Sequence, residues 1–435
     1  MAVPVRPGLR LPCSLLARAA ALALIACAGP ATTSPDALPA GAAAPRFAPG
    51  GFDAEAYGAA DGYPPGNRST FFRLPYLVGS HSHLDEIFEG RVVRRAPRPS
   101  ALARAATAPS IAYTFQGASL TLDDYLARNP TTGLLIARGD TILVERYQYG
   151  RTDRQRFTSW SMAKTITSML IGIAIAEGRI RSVDDAAEAY VPALAGTEYG
   201  RTSLRHLLQM SSGVKFVEQY SGDDDVTELA RHTFLRLRPG GVEAVRPFNE
   251  RAAPGGTRFS YASSETQVLG LALRGAVGRP VGHYLEEKIW QPMGAEADAT
   301  WLVDDTGQES TYCCINAVLR DWARVGLLLA RDGRAHGRQI IPADWLQAAT
   351  TVRADQPHLR PGTATGFFGY GYQAWILPGE RRMFALLGVR GQSIYVDPTA
   401  RLVMVHTAVR RQPAGDPGNR EAGALWQALV RTLGG

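Results

Sequence analysis

Lysine is almost missing from this sequence. Of 47 basic residues only Lys164, Lys215 and Lys288 are lysines, and the other 44 are arginines. Arginine keeps its proton at any working pH, whereas a desolvated lysine can release it and act as a base. A lysine kept in such a chain marks a position that arginine could not fill. Cysteine is also scarce. Cys13 and Cys27 fall near the start, which leaves the adjacent pair Cys313-Cys314. With no Cys-x-x-Cys and no spaced set, a zinc site is excluded. Neighbouring cysteines can close a strained ring in an oxidising compartment, but the expected state is two buried thiols. His81-Ser82-His83, followed by Asp85 and Glu86, is the only close histidine pair. Its spacing fits no metal motif, so a surface or capping role is expected. No basic run alternates with aromatics, and a net charge of +7 spread over many arginines carries no nucleic-acid signature. Gly-x-Ser-x-Gly is absent, which argues against an α/β-hydrolase scaffold. No repeat of 20–50 residues is visible.

What is present begins with a leader. Arg6, Arg10 and Arg18 precede an apolar stretch from Ala19 to Ala26 that is too short to span a bilayer. Residues 1–27 therefore read as an export signal. Its end, Leu24-Ile25-Ala26-Cys27, resembles the lipobox of bacterial lipoproteins, in which the cysteine is acylated and becomes the new N-terminus. A plain secretory signal with an incidental cysteine is the alternative, as is an unprocessed cytoplasmic chain. The expectation is an exported protein, periplasmic or an outer-membrane lipoprotein, touching a membrane only through a lipid on Cys27. Residues 28–66, rich in Ala, Pro and Gly, read as a flexible linker. Residues 67–435 are expected to form one folded domain, with 67–110 wrapping it.

Within that domain, residues 133–138 and 141–147 predict two strands joined at Gly139-Asp140, a strong hairpin signal. Ser161 opens an apolar helix that runs to about Glu177 and is closed by Gly178. Residues 185–300 are expected to be mostly helical with long loops, including the acidic turn at 221–225. Strands are expected at 382–387, 393–396 and 401–408, then a helix at about 419–433. Strands at both ends around a helical middle imply an α+β fold, an antiparallel sheet built from both chain ends and flanked by helices, with a helical insert.

The chemistry centres on Ser161-Met162-Ala163-Lys164. A helix N-terminus gathers unpaired N–H groups that stabilise a developing oxyanion. Lys164, one turn on, points to the same side as Ser161. To act as a base it must shed about 3 pKa units, roughly 4 kcal/mol, which burial can supply. An N-cap serine followed by a solvated lysine fits the same spacing. Tyr261, after the turn Pro254-Gly255-Gly256, can present its phenol to a cleft or serve as a half-buried aromatic. Gly388 and Gly391 in a strand pattern mark close approach of a ligand or a bulge.

In this order, Ser161-Met162-Ala163-Lys164, Tyr261-Ala262-Ser263 and Leu386-Leu387-Gly388 resemble the three motifs of the penicillin-recognising serine hydrolases: class C β-lactamases, D-alanyl-D-alanine carboxypeptidases and related esterases and amidases. The likeness covers roughly residues 70–430. Around Met210-Ser211-Ser212-Gly213-Val214, Tyr220, the expected helix start at Asn316–Asp321, and Gly391-Gln392, it is similar to the 6-aminohexanoate-dimer hydrolases. The resemblance implies a β-lactamase/transpeptidase-like α/β sandwich with a helical subdomain. It implies Ser161 as nucleophile, Lys164 and Tyr261 as proton carriers, and the N–H groups of Ser161 and Val389 as oxyanion hole. Tyr220, Gly388 and Gly391 would contact a small amide or ester substrate, and no metal or organic cofactor is implied. Ser263 replaces the family's asparagine, and Leu386 and Leu387 replace Lys and Thr. Loss of a charge-assisted contact costs about 1.5–3 kcal/mol, so poor penicillin turnover is expected. A β-lactamase or D-alanyl-D-alanine carboxypeptidase, and a catalytically silent binding lipoprotein, are the alternatives. Asp223-Asp224-Asp225 is expected to be a solvated turn, the other reading being a partner for a substrate amine.

Overall fold

The computed structural model describes residues 43–434. The signal, the lipobox-like end at Cys27 and residues 28–42 of the expected linker lie outside the described residues.

Among the described residues, nine strands make the central sheet. Along it run Arg46–Phe47, Thr141–Tyr147, Thr131–Arg138, Leu402–Ala408, Gln392–Asp397, Phe384–Gly388, Trp375–Ile376 and Gly369–Tyr370, and Ala103–Arg104 also pairs with Thr141–Tyr147. The C-terminal strand Leu402–Ala408 lies antiparallel beside Thr131–Arg138, so both ends of the chain build the sheet as expected. The sheet is not wholly antiparallel, because the two-residue strands Arg46–Phe47 and Ala103–Arg104 pair with Thr141–Tyr147 in parallel.

Strands buried on both faces carry apolar residues at consecutive positions, while period two still decides which face each one serves. Leu135 and Ala137 join one core with Val403 and Val405, and there they meet Ile166 and Met169 of the helix Ala163–Ala176. Leu134 and Ile136 face the other way, with Leu402 and Met404, against Leu425, Trp426 and Leu429 of the final helix Pro417–Leu433. The helix Ala163–Ala176 is buried from Ala163 through Ala174, which is why it reads as apolar all round. Its neighbour Ala343–Ala349 comes so close that a Cβ on Gly172 would sit 2.3 Å from the Trp345 ring.

A second sheet, Gly90–Val93, Ala299–Leu302, Ile315–Val318 and Arg156–Thr158, leads straight into the turn that carries Ser161. Asn316–Val318 belong to this sheet, and the helix expected there begins only at Leu319.

Three expectations need correction. The linker does not extend through residue 66: Tyr57 and Tyr63 are buried, and the Tyr57 hydroxyl donates to the Val409 carbonyl at 2.7 Å. Aromatic anchors fix that stretch in spite of its Ala, Pro and Gly content. Cys313 and Cys314 are disulfide-bonded, not two thiols, in a buried turn where Cys314 has a φ of 73°. His83 caps the helix Leu77–Ser82 through the Gly79 carbonyl, but His81 is buried instead of lying at the surface.

Candidate active site

The turn that carries Ser161 is braced from several directions. Ser161 lies in the short 3-10 turn Trp160–Met162, one residue before the α-helix begins at Ala163. The Ser159 amide donates to the Ile315 carbonyl at 2.7 Å, and its hydroxyl accepts from the Ile315 amide and donates to the Trp160 carbonyl. Trp160 has a φ of 42°, a left-handed conformation that costs a non-glycine residue about 1–3 kcal/mol. It is fixed by its indole, whose Nε1 donates to His81 Nε2 at 3.0 Å. His81 Nδ1 donates to the Leu77 carbonyl, and burial drops the imidazole pKa to about 3, so the ring is neutral and free to accept.

Lys164 stands apart from the other two lysines. Lys215 and Lys288 pair with Glu250 and Glu177 at 3.0 and 2.6 Å. Among the described residues, Lys164 has no carboxylate at ion-pair distance, and it is only 1% exposed. Its Nζ lies 3.0 Å from Ser161 Oγ, 3.0 Å from Ser263 Oγ and 3.1 Å from the Tyr312 carbonyl. Burial lowers its pKa from 10.5 to about 8, against the opposing pull of the Glu218 charge.

These contacts orient the amine. Ser263 Oγ donates to Glu218 Oε1 at 2.8 Å, so it must accept from Lys164. The Tyr312 carbonyl can only accept. A neutral Lys164 therefore spends both N–H bonds on these two partners, and its lone pair faces the Ser161 hydroxyl. The serine that stands in place of the family's asparagine is thus the link between Lys164 and the Glu218 carboxylate.

Tyr261 immediately precedes the N-cap of the helix Ser263–Val277. Its ring stacks on Trp375 with centroids 5.3 Å apart, and Lys164 Nζ lies 4.8 Å from its centroid. Burial, then the Glu218 charge, raises the phenol pKa, while its hydrogen bond with Ser161 pulls it down. The phenol is therefore a proton donor at neutral pH, and the buried amine is the better base.

The strand Phe384–Gly388 meets the Ser161 turn edge-on. A Cβ on Gly388 would sit 2.4 Å from the Ser159 carbonyl oxygen, so only glycine allows the approach that brings Val389 to Ser161. Val389 and Ser161 line both lobes of the cleft, as do Glu218 and Tyr220. Gly388, Gly391 and Leu387 line one lobe, whereas Leu386 points into the core. Tyr220 donates its hydroxyl to Glu218 Oε1 at 2.7 Å, so it reaches the site through that carboxylate. Asp223–Asp225 do not line the cleft. Asp224 accepts from the Gln219, Tyr220 and Thr227 amides and caps the helix Asp225–His232. A larger cavity, about 530 Å³ near Ser100, Arg331 and His336, shares no lining residue with this cleft.

Sequence reasoning missed Glu218 and Tyr312. The signal for Glu218 was weak: an acid two residues before Tyr220, in the loop after the Ser-Ser-Gly turn. Tyr312 offers no signal, because it contributes its carbonyl.

The family model described as Beta-lactamase matches residues 120–427. A 6-aminohexanoate-dimer hydrolase of Paenarthrobacter ureafaciens is 28% identical over 292 residues, covering 65% of this chain and 74% of that protein. A Bacillus anthracis protein assigned provisionally to the same activity superposes with a TM-score of 0.77 at 24% identity, over 85% of this chain and 98% of its own. A family VIII carboxylesterase shares the fold at a TM-score of 0.51 and 18% identity, over 70% of this chain and 93% of its own.

Proposed function

The chain belongs to the Beta-lactamase family and is a serine hydrolase, and from that premise we propose that Ser161 forms an acyl-enzyme with small amides or esters, Lys164 serving as base and Tyr261 as acid. The observation that carries this reading is the placement of Lys164 Nζ, its lone pair left for Ser161 by Ser263 and Tyr312.

Ser161 Oγ attacks the substrate carbonyl carbon as its proton passes to Lys164. The oxyanion takes hydrogen bonds from the Ser161 and Val389 amides. Tyr261 gives its phenolic proton to the departing nitrogen or oxygen and recovers one from the Lys164 ammonium. Water then attacks the acyl carbon, Lys164 takes its proton, and that proton returns to Ser161 Oγ as the acid leaves. No metal or organic cofactor enters any step.

The Paenarthrobacter relative supports linear amides as substrates. Leu387 in the cleft and Leu386 in the core, where relatives carry the Thr and Lys that seat a carboxylate, argue against efficient penicillin hydrolysis. Export is part of the proposal, as a periplasmic or outer-membrane lipoprotein held at Cys27. The Cys313–Cys314 disulfide supports an oxidising compartment. Radiolabelled palmitate incorporated by the native chain and lost in Cys27→Ser would test the anchor.

Fluorophosphonate treatment followed by intact-mass spectrometry tests the nucleophile. One adduct at Ser161 is expected, absent in Ser161→Ala, with activity falling about 10⁴-fold or more. A folded protein that takes no adduct would instead be a binding protein that has kept only the fold.

A further inference from the structure

The cleft at Ser161 has two chemically different lobes. Tyr261, the proton donor to the leaving group, lines only the lobe of about 360 Å³ that also holds Trp375, Gln392 and Ser393. The leaving group therefore departs into that lobe. The acyl group is then directed into the other, about 290 Å³, which Tyr261 does not reach.

Phe72, Trp160, Val226, Ala230, Phe234 and Leu235 wall the acyl side. Its charged lining groups are already engaged. Glu218 accepts from the Ser263 amide, the Ser263 hydroxyl and the Tyr220 hydroxyl. Arg390 Nη1 donates to the carbonyls of Arg410 and Arg411, and its guanidinium carbon lies 5.1 Å from the Phe72 ring centroid. Asp224 lies outside the lining and is turned back onto its own loop. An ammonium group entering this lobe would lose its water without gaining an unengaged carboxylate, whereas each methylene buried there improves binding about fourfold.

We propose that this lobe is an acyl site for uncharged, apolar chains, so that the enzyme's substrates are esters or amides of hydrophobic carboxylic acids and not amino-terminated ones. This rests on Ser161 being the nucleophile. The lobe continues directly from that residue, since Ser161 and Val389 form its inner edge.

The full processed protein is tested with p-nitrophenyl acetate, butyrate, hexanoate and octanoate, and with the paired hexanoyl and 6-aminohexanoyl p-nitroanilides. The expected result is a kcat/KM that rises about fourfold per methylene until the lobe fills. The hexanoyl anilide should exceed its amino-terminated twin by tenfold or more. Ala230→Phe, which shortens the lobe from a half-buried helix position, should lower the octanoate-to-acetate ratio at least tenfold. Ala230→Asp should shift preference toward the 6-aminohexanoyl anilide. A series flat in chain length, or equal turnover of the two anilides, with the phosphonate adduct intact, overturns the acyl site alone. No turnover of any compound together with no adduct overturns the nucleophile reading and this inference with it.

Discussion

Replacing Glu218 with Gln should make the enzyme work at lower pH. The carboxylate reaches Lys164 through one hydroxyl, with Nζ to Ser263 Oγ at 3.0 Å and Oγ to Glu218 Oε1 at 2.8 Å. That path keeps the two charges within about 6 Å, where an effective dielectric of about 20 gives roughly 3 kcal/mol of attraction. Glu218 is half-exposed, so solvent screening reduces the effect, to about 1–1.5 kcal/mol. That corresponds to about one pKa unit. The sign follows from the chemistry: the anion favours the ammonium, and the active form is the neutral amine. Wild-type kcat/KM should therefore rise with pH through about 8, the pKa of Lys164. In Glu218→Gln the midpoint should fall to about 7, because the charge is gone while an amide oxygen remains to hold Ser263. The assay is the pH profile of kcat/KM for a p-nitrophenyl ester between pH 6 and 10. A midpoint that stays at 8 or moves up refutes the link between Glu218 and the base.

Other perturbations separate the remaining roles. Tyr261→Phe should cost about 10²–10⁴-fold in kcat for an anilide and much less for a nitrophenyl ester, whose leaving group needs no proton; equal losses on both would remove the acid role. Gly388→Ala forces a methyl group against the Ser159 carbonyl. If Val389 supplies an oxyanion donor, kcat should drop about 10²–10³-fold while the fold, read by circular dichroism, persists. Buried His81 and His406 have pKa values lowered to about 3 from 6.5. The unfolded chain protonates them first, so their stabilisation is complete above pH 6.5 and is lost as pH falls toward 3. Each should contribute up to about 1.4 kcal/mol per pH unit within that window. Denaturant unfolding of His406→Gln should show a shallower acid slope than wild type.

Local spacing is what made Ser161, Lys164 and Tyr261 legible. A serine and lysine one helical turn apart, and a tyrosine ahead of a helix, declare their geometry within a few residues. Glu218, Ser263 and Tyr312 act together only because three distant segments converge on Nζ, and no short window contains that meeting. The strands at 384–388, 392–397 and 402–408 were legible because burial on both faces gives each a run of consecutive apolar residues, Phe384–Leu387, Ile394–Val396 and Leu402–Val405. The stretch at 43–66 was misread because composition counts Ala, Pro and Gly but not the few aromatics that pin it down. Whether Cys313 and Cys314 join depends on a local turn that adjacent cysteines alone do not specify. His81 was read from its neighbours in sequence, whereas its partner is Trp160, 79 residues away.

That last contact has a consequence for where the working catalyst begins. The family model begins to match at residue 120, but the strut that holds the Ser161 turn and one wall of the acyl lobe lie upstream, at His81 and at Phe71 and Phe72. A chain trimmed to residues 120–427 would keep the serine, the lysine and the long strands of the sheet, would lose the short strands Arg46–Phe47 and Ala103–Arg104, and would open its pocket to solvent. With the proposed acyl site, substrate choice depends in part on residues upstream of the family-matched segment.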